Sequence, residues 1–154
     1  MAVEIERKFL VADDRWRENV MGILFRQGYL SVEPNRTVRV RLEGEIGKLT
    51  IKGRTEGISR SEYEYQIPQQ DATELLDNLC LRPLIEKTRY RVQHEGLIWE
   101  IDEFYGANEG LIMAEIELES EEAEVPLPDW VGREVSGNPR YYNSSLVKEP
   151  FSEW

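Results

Sequence analysis

The stretch Val3-Glu4-Ile5-Glu6-Arg7-Lys8-Phe9-Leu10-Val11 alternates with a period of two. Glu4, Glu6 and Lys8 fall on one face, while Val3, Ile5, Phe9 and Val11 fall on the other; only Arg7 breaks the apolar phase. That periodicity marks a β-strand whose two faces meet different surroundings. The pattern recurs along the chain. Arg39 and Arg41 alternate with Val38, Val40 and Leu42 over residues 37–43, and Lys48, Thr50 and Lys52 alternate with Leu49 and Ile51, with residues 44–47 read as the hairpin turn. Glu62, Glu64 and Gln66 oppose Tyr63, Tyr65 and Ile67 before Pro68 ends the strand. Lys87, Arg89, Arg91 and Gln93 oppose Thr88, Tyr90 and Val92, and Glu95-Gly96 turns the chain. Glu100 and Asp102 then oppose Trp99 and Ile101, and Glu115, Glu117 and Glu119 oppose Ile112, Ala114, Ile116 and Leu118. Residues 24–31, with Gln27 and Tyr29 in one phase, form a less regular eighth strand.

Helical signals are few. Residues 12–20 are one candidate. Residues 71–80 are a second, where Asp71 and Glu74 have capping-box form, Leu75, Leu76 and Leu79 make an apolar stripe, and Cys80 reads as core. Asn138-Pro139 has the form of an N-cap and first helical position for a short helix through Tyr141, Tyr142 and Leu146.

With 154 residues, a single domain is expected. Thirty acidic against 19 basic side chains give a net charge of −11, which excludes a basic nucleic-acid binder. Four Trp, seven Tyr and four Phe supply enough apolar bulk to exclude a disordered chain. A lone Cys80 rules out an internal disulfide and a thiolate zinc site, and with charges where a signal peptide needs an apolar segment, a cytoplasmic protein is expected. No run of 18 apolar residues suggests a membrane span. The sequon Asn143-Ser144-Ser145 carries no weight in such a chain. A homodimer is compatible with the sequence, which leaves the oligomeric state open.

The charged phase brings Glu4, Glu6, Glu43, Glu62, Glu64, Glu100, Asp102, Glu115, Glu117 and Glu119 together with Lys8, Arg39, Arg41, Lys48, Lys52, Lys87, Arg89 and Arg91. An ordinary reading is the solvated face of an antiparallel sheet, laced with ion pairs of little energetic consequence. Two features favour another. Full charges dominate strand after strand, and carboxylates and cations are segregated onto different strands. A sheet closed with that face inward makes a polar tunnel, with the apolar phase outside beneath helices. So many ions are too costly to bury dry, so such a tunnel calls for water, metal ions and a polyanion. Clustered carboxylates suit magnesium or manganese, and Arg and Lys suit phosphate oxygens; together they describe a phosphoryl-transfer site.

The segment Glu4-Ile5-Glu6-Arg7-Lys8 resembles the E-x-E-x-K signature of the CYTH superfamily, the triphosphate tunnel metalloenzymes. The resemblance continues in order through Arg39-Val40-Arg41, Leu49-Thr50-Ile51-Lys52-Gly53, Glu62-Tyr63-Glu64, Glu86-Lys87-Thr88-Arg89, Ile101-Asp102-Glu103-Phe104 and Ala114-Glu115-Ile116-Glu117. Glu134-Val135-Ser136-Gly137 and Arg140-Tyr141-Tyr142-Asn143 look like the short bacterial members. The resemblance implies a mainly β (α+β) fold, an eight-stranded antiparallel barrel flanked by a few helices. It implies that Glu4, Glu6, Asp102, Glu115 and Glu117 hold one or two divalent cations, magnesium or manganese. Lys8, Arg39, Arg41, Lys52, Lys87 and Arg89 would grip the triphosphate, with Glu4, Glu6, Lys8 and Glu117 at the chemistry. Glu62, Glu64, Glu100, Arg91 and Tyr29 are secondary candidates; packing explains Tyr29 equally well. Many relatives close the tunnel with a basic residue of a C-terminal helix, for which Arg140 and Lys148 are the candidates here.

The implied activity is metal-dependent hydrolysis of a triphosphate, inorganic tripolyphosphate first. A CYTH-type adenylate cyclase and a thiamine triphosphatase are the alternatives within the family, and a non-catalytic polyphosphate- or nucleotide-binding module the alternative outside catalysis. No protein nucleophile is required. His94, the single histidine, sits at a turn, which argues against a Ser-His-Asp triad, and neither a P-loop nor a dinucleotide fingerprint is present.

Overall fold

The computed structural model describes residues 3–154. Nine strands dominate: β1 (Val3–Val11), β2 (Gly22–Ser31), β3 (Arg36–Glu43), β4 (Ile46–Gly53), β5 (Ser59–Ile67), β6 (Ile85–His94), β7 (Leu97–Phe104), β8 (Ile112–Glu117) and β9 (Val131–Glu134). Among the described residues the two α-helices are α1 (Gln69–Asn78) and α2 (Asn143–Lys148). Strands run β5-β4-β3-β2-β6-β7-β8-β1, all neighbours antiparallel, and pairing of β1 with β5 through Glu4 and Arg60 closes the barrel. The expected eight-stranded barrel is therefore present. The tight connections follow from local chemistry: Gly44 turns at φ +61° between Glu43 and Ile46, and Glu95 and Gly96 turn at φ +47° and +79°, the left-handed pair that suits a two-residue hairpin.

The ninth strand carries no alternation long enough to read. It pairs with β1 at Phe9 and Val11, extending the same edge that β5 uses lower down. It also explains Arg7. The Arg7 guanidinium donates to both oxygens of Glu134 on β9, at 2.9 and 2.8 Å, and lies 5.1 Å from the Phe9 ring. The phase break is an outward ion pair across a strand junction.

The apolar phase faces outward and is covered in two places. On β1, β7 and β8, Phe9, Trp99, Ile101, Ala114 and Ile116 pack against Trp16 and Trp130. On β3, Val40 packs against Ala72, Leu76 and Cys80 of the α1 segment, a spacing of four that places one helical stripe on the sheet. Gly28 permits that approach, because a Cβ there would meet the Cys80 Cβ at 2.7 Å.

Helix boundaries differ from expectation. Helix α1 begins after Pro68 with no side-chain cap, so Asp71 lies inside the first turn, and Leu79 is exposed beyond its end. Residues 12–20 hold only a short 3-10 turn, Arg15–Arg17. The Asn138 cap is present, accepting from the Arg140 amide, but the turn it starts is 3-10, and α2 follows as a separate helix. No described helix is long and apolar enough to cross a membrane.

Candidate active site: the charged tunnel

Every residue singled out for the site lines one cavity of about 210 Å³ along the barrel axis, except Asp102. The inward phase changes character along the barrel. Tyr29, Ile85, Phe104 and Met113, at one end, are apolar and buried, and they receive Tyr141, Leu146 and Val147 of the C-terminal segment. That segment is the stopper. Tyr142, Asn143 and Ser144 reach the cavity, whereas Arg140 pairs with Glu149 and stacks on Trp154, and Lys148 is exposed. Neither proposed basic residue closes the tunnel; an asparagine does, because the strands beneath it already carry the cations.

Asn143 joins a continuous polar network. Its Oδ1 accepts from Lys87 Nζ at 2.9 Å and from Gln27 Nε2 at 2.8 Å, and Gln27 Oε1 accepts from Arg41 Nε at 2.8 Å. Lys87 also donates to Asp102 Oδ2, and Arg89 takes both Asp102 oxygens, all at 2.8 Å. Asp102 is thus committed to two cations and sits behind the wall. Burial opposes its charge, but Arg89 and Lys87 hold it well below the usual carboxylate range. Burial pulls Lys87 down to about 7, with Asp102 opposing and Arg89 and Arg41 adding repulsion. Burial, with Arg39 and Arg89 nearby, lowers Arg41 to about 10. The Phe25 ring centroid lies 4.9 and 5.1 Å from the Arg41 and Arg89 guanidinium carbons, within cation–π reach of both.

Across the cavity, β1 and β8 present carboxylates. Glu6 stands directly opposite Glu117, and Lys8 opposite Glu115, which in turn faces Glu100. Most tunnel carboxylates have a cation: Glu4 takes Lys52 at 2.9 Å, Glu115 takes Lys8 at 3.5 Å, Glu100 takes Arg89 and Arg91, and Glu62 takes Lys52. Glu64 takes Arg39 and Lys48. Among the described residues, Glu6 and Glu117 are the tunnel carboxylates without an ion pair. Burial, Glu115 and Glu4 push Glu6 up to about 8, and burial with Glu4 and Glu100 raises Glu117. Burial opposes ionisation of Glu115 too, yet Lys8 and Arg89 bring it down to about 2. Burial likewise works against Glu4, and Lys52 lowers it nonetheless.

This donor set fits a hard divalent cation. All the oxygens are carboxylates, and the two unpaired ones are raised by burial and by neighbouring carboxylates, both of which a cation would offset. Among the described residues, no three carboxylates already converge as a finished site, because Lys52 and Lys8 hold the oxygens of Glu4 and Glu115.

Sequence reasoning missed Arg60 by starting its strand at Ser61, two residues after its observed start at Ser59. Arg60 shares the phase of Glu62 and Glu64, which was the available signal. It missed Thr37 and Phe25 because neither is charged, and Asn143 because the stopper follows no strand period. His94 lies 3.4 Å from Glu95 at its turn and does not line the tunnel.

The matching family model, described as the CYTH domain, covers residues 2–150. The chain therefore belongs to the CYTH family. An inorganic triphosphatase of Acetivibrio thermocellus is 53% identical over 100% of this chain and 99% of its own. One of Nitrosomonas europaea is 39% identical, over 94% of this chain and 96% of its own. A solved structure described as an inorganic triphosphatase superposes with a TM-score of 0.66 at 35% identity, covering 93% of this chain and 96% of that one.

Proposed function

We propose that this protein hydrolyses inorganic triphosphate to pyrophosphate and orthophosphate, with magnesium or manganese held by Glu6 and Glu117 and assisted by Glu4 and Glu115. The observation that carries this reading is the unpaired Glu6–Glu117 couple facing a wall of lysine and arginine side chains inside a closed barrel. Names borne by relatives at 53% and 39% identity support the choice of substrate.

The residues divide the work. Arg41, Lys87 and Arg89 present N–H donors to phosphate oxygens and offset their charge, a role suited to forked and point cations respectively. Asp102 fixes the Lys87 ammonium and the Arg89 fork, so little reorganisation accompanies binding. Lys8 lies between Glu115 and the backbone oxygen of Tyr141, aimed into the cavity near the carboxylates. A divalent ion in the carboxylate group would draw charge from the phosphoryl oxygens and favour deprotonation of water. Water attacks the terminal phosphorus in line, its oxygen forming the new P–O bond as the bond to pyrophosphate breaks, and the proton leaves to solvent. The Asn143 stopper excludes bulk water from one end.

The test compares phosphate release from tripolyphosphate, ATP, thiamine triphosphate and pyrophosphate with magnesium, manganese or chelator. Metal-dependent turnover that is fastest on tripolyphosphate is expected. Turnover of ATP to a cyclic product, or triphosphate binding without turnover under any metal, would contradict it.

A further inference from the structure

The tunnel contains an asymmetric counterpart to its unpaired carboxylates. Among the described residues, Arg60 is the cavity-lining cation with no carboxylate in ion-pairing reach; each of the others has at least one. It is nonetheless held in place. Nε donates to the Gly53 carbonyl at 3.1 Å and one terminal nitrogen reaches Thr37 Oγ1 at 3.5 Å. The rest of the guanidinium fork is left for something else.

A second observation lies beside it. Arg39, two residues from Thr37 on the same face of β3, is buried, and its Nε has no hydrogen-bond partner. Its terminal nitrogen donates to Thr50 Oγ1 at 3.1 Å and lies 3.6 Å from Glu64, so the head group is anchored while Nε stays unpartnered. A buried donor left unmade is costly, and a half-buried guanidinium without a counter-ion is costly too. An oxyanion in the cavity beside Thr37 answers the Arg60 deficit directly, on the wall that Arg39 also lines.

We infer that Arg60, with the Arg39 side chain on the same wall, binds one phosphoryl group of the substrate beside Thr37, making Arg60 a substrate-binding residue of the tunnel. This inference rests on the triphosphatase reading for the identity of the anion. Arg60 adds a forked donor on β5, across the cavity from the Lys87 and Arg89 wall, so the triphosphate is held from two sides. A phosphate ligand fits the surrounding charge: Lys52 and Arg39 are near Thr37 by register and by strand position, and the Glu4 carboxylate opposite Arg60 is taken by Lys52 rather than by Arg60.

The test measures kcat and KM for tripolyphosphate with magnesium in wild type, Arg60→Ala, Arg60→Lys and, as a control, Arg54→Ala, whose side chain is exposed and bonds Asn35 outside the cavity. Tripolyphosphate affinity is measured in parallel by calorimetry without metal. Loss of one charge-assisted contact predicts a KM and Kd for Arg60→Ala raised roughly 10- to 100-fold. A kcat within a few-fold of wild type, partial recovery in Arg60→Lys and no change in Arg54→Ala complete the expectation. Wild-type KM and Kd in Arg60→Ala would overturn the inference while leaving the triphosphatase reading intact. A lower melting temperature with kcat and KM impaired alike, unrelieved in Arg60→Lys, would overturn it in favour of a structural role. Absence of tripolyphosphate turnover and binding in the wild type would instead overturn the triphosphatase reading, and this inference with it.

Discussion

Glu6 and Glu117 occupy directly opposed positions on β1 and β8, and neither carboxylate is paired with a cation among the described residues. Where both are ionised, like charges so placed destabilise a sheet by about 0.2–1 kcal/mol, the same order as favourable cross-strand pairs. Nearby Lys8 and Lys52 are instead taken by Glu115 and by Glu4 and Glu62. The barrel thus keeps two carboxyls there whose ionisation is opposed by burial and by neighbouring carboxylates, an opposition that a divalent cation would relieve.

Replacing either member therefore separates stability from activity. Glu6→Gln and Glu117→Gln are expected to raise the urea midpoint of the metal-free protein slightly. Turnover should fall by more than the roughly 10- to 100-fold typical of residues behind a metal's ligands. Near-normal turnover in both variants would remove these residues from the site.

The pH dependence of the metal-free protein has a definite sign. Glu6 is raised from 4.5 to about 8, so the folded protein holds this proton more tightly than the unfolded chain. The resulting penalty is absent below about 4.5, grows as pH rises, and is complete above about 8. Glu115, lowered to about 2, acts oppositely: its contribution is present above 4.5 and is lost as pH falls toward 2. Between pH 6 and 8 the melting temperature should decline more in wild type than in Glu6→Gln. Magnesium binding at pH 7 should release protons, measured by calorimetry in buffers of different ionisation enthalpy. Equal slopes in the two proteins would contradict this assignment.

Asp102→Asn leaves Lys87 and Arg89 buried without their shared counter-ion. Breaking such a pair from one side costs about 3–5 kcal/mol, read from urea unfolding. Metal affinity of the folded variant should change less than in Glu6→Gln, since both Asp102 oxygens are held by cations. A larger loss of metal affinity than in Glu6→Gln would return Asp102 to the ligand set.

Asn143→Ala removes the acceptor shared by Lys87 and Gln27. A stability loss of about 1–3 kcal/mol is expected from the unsatisfied donors, together with a higher KM as the Lys87 ammonium loses its orientation. An unchanged KM would make the stopper irrelevant to substrate binding.

The barrel was legible because strand polarity is written in period two, and inward positions here are charged while outward ones are apolar. Val3–Val11 alone shows the phase, and its one violation, Arg7, needed a partner 127 residues away at Glu134 to be understood. Strand β9 escaped because four residues carry too little pattern, and the stopper because its seat is apolar. Phe104, Ile85 and Met113 did hold the signal, sitting in the charged phase of their strands while being apolar themselves. The charged residues of the site were readable as a set; their division into paired and unpaired members was not. That division depends on register, which places Glu6 against Glu117 and leaves Arg60 beside Thr37.

Phosphorus NMR of tripolyphosphate incubated with the protein and magnesium tests the central claim most directly. Conversion of the triphosphate signals into equimolar pyrophosphate and orthophosphate, stopped by chelator and absent in Glu6→Gln, is the predicted result. Triphosphate signals that persist with metal present, or disappear equally fast in chelator, would contradict it.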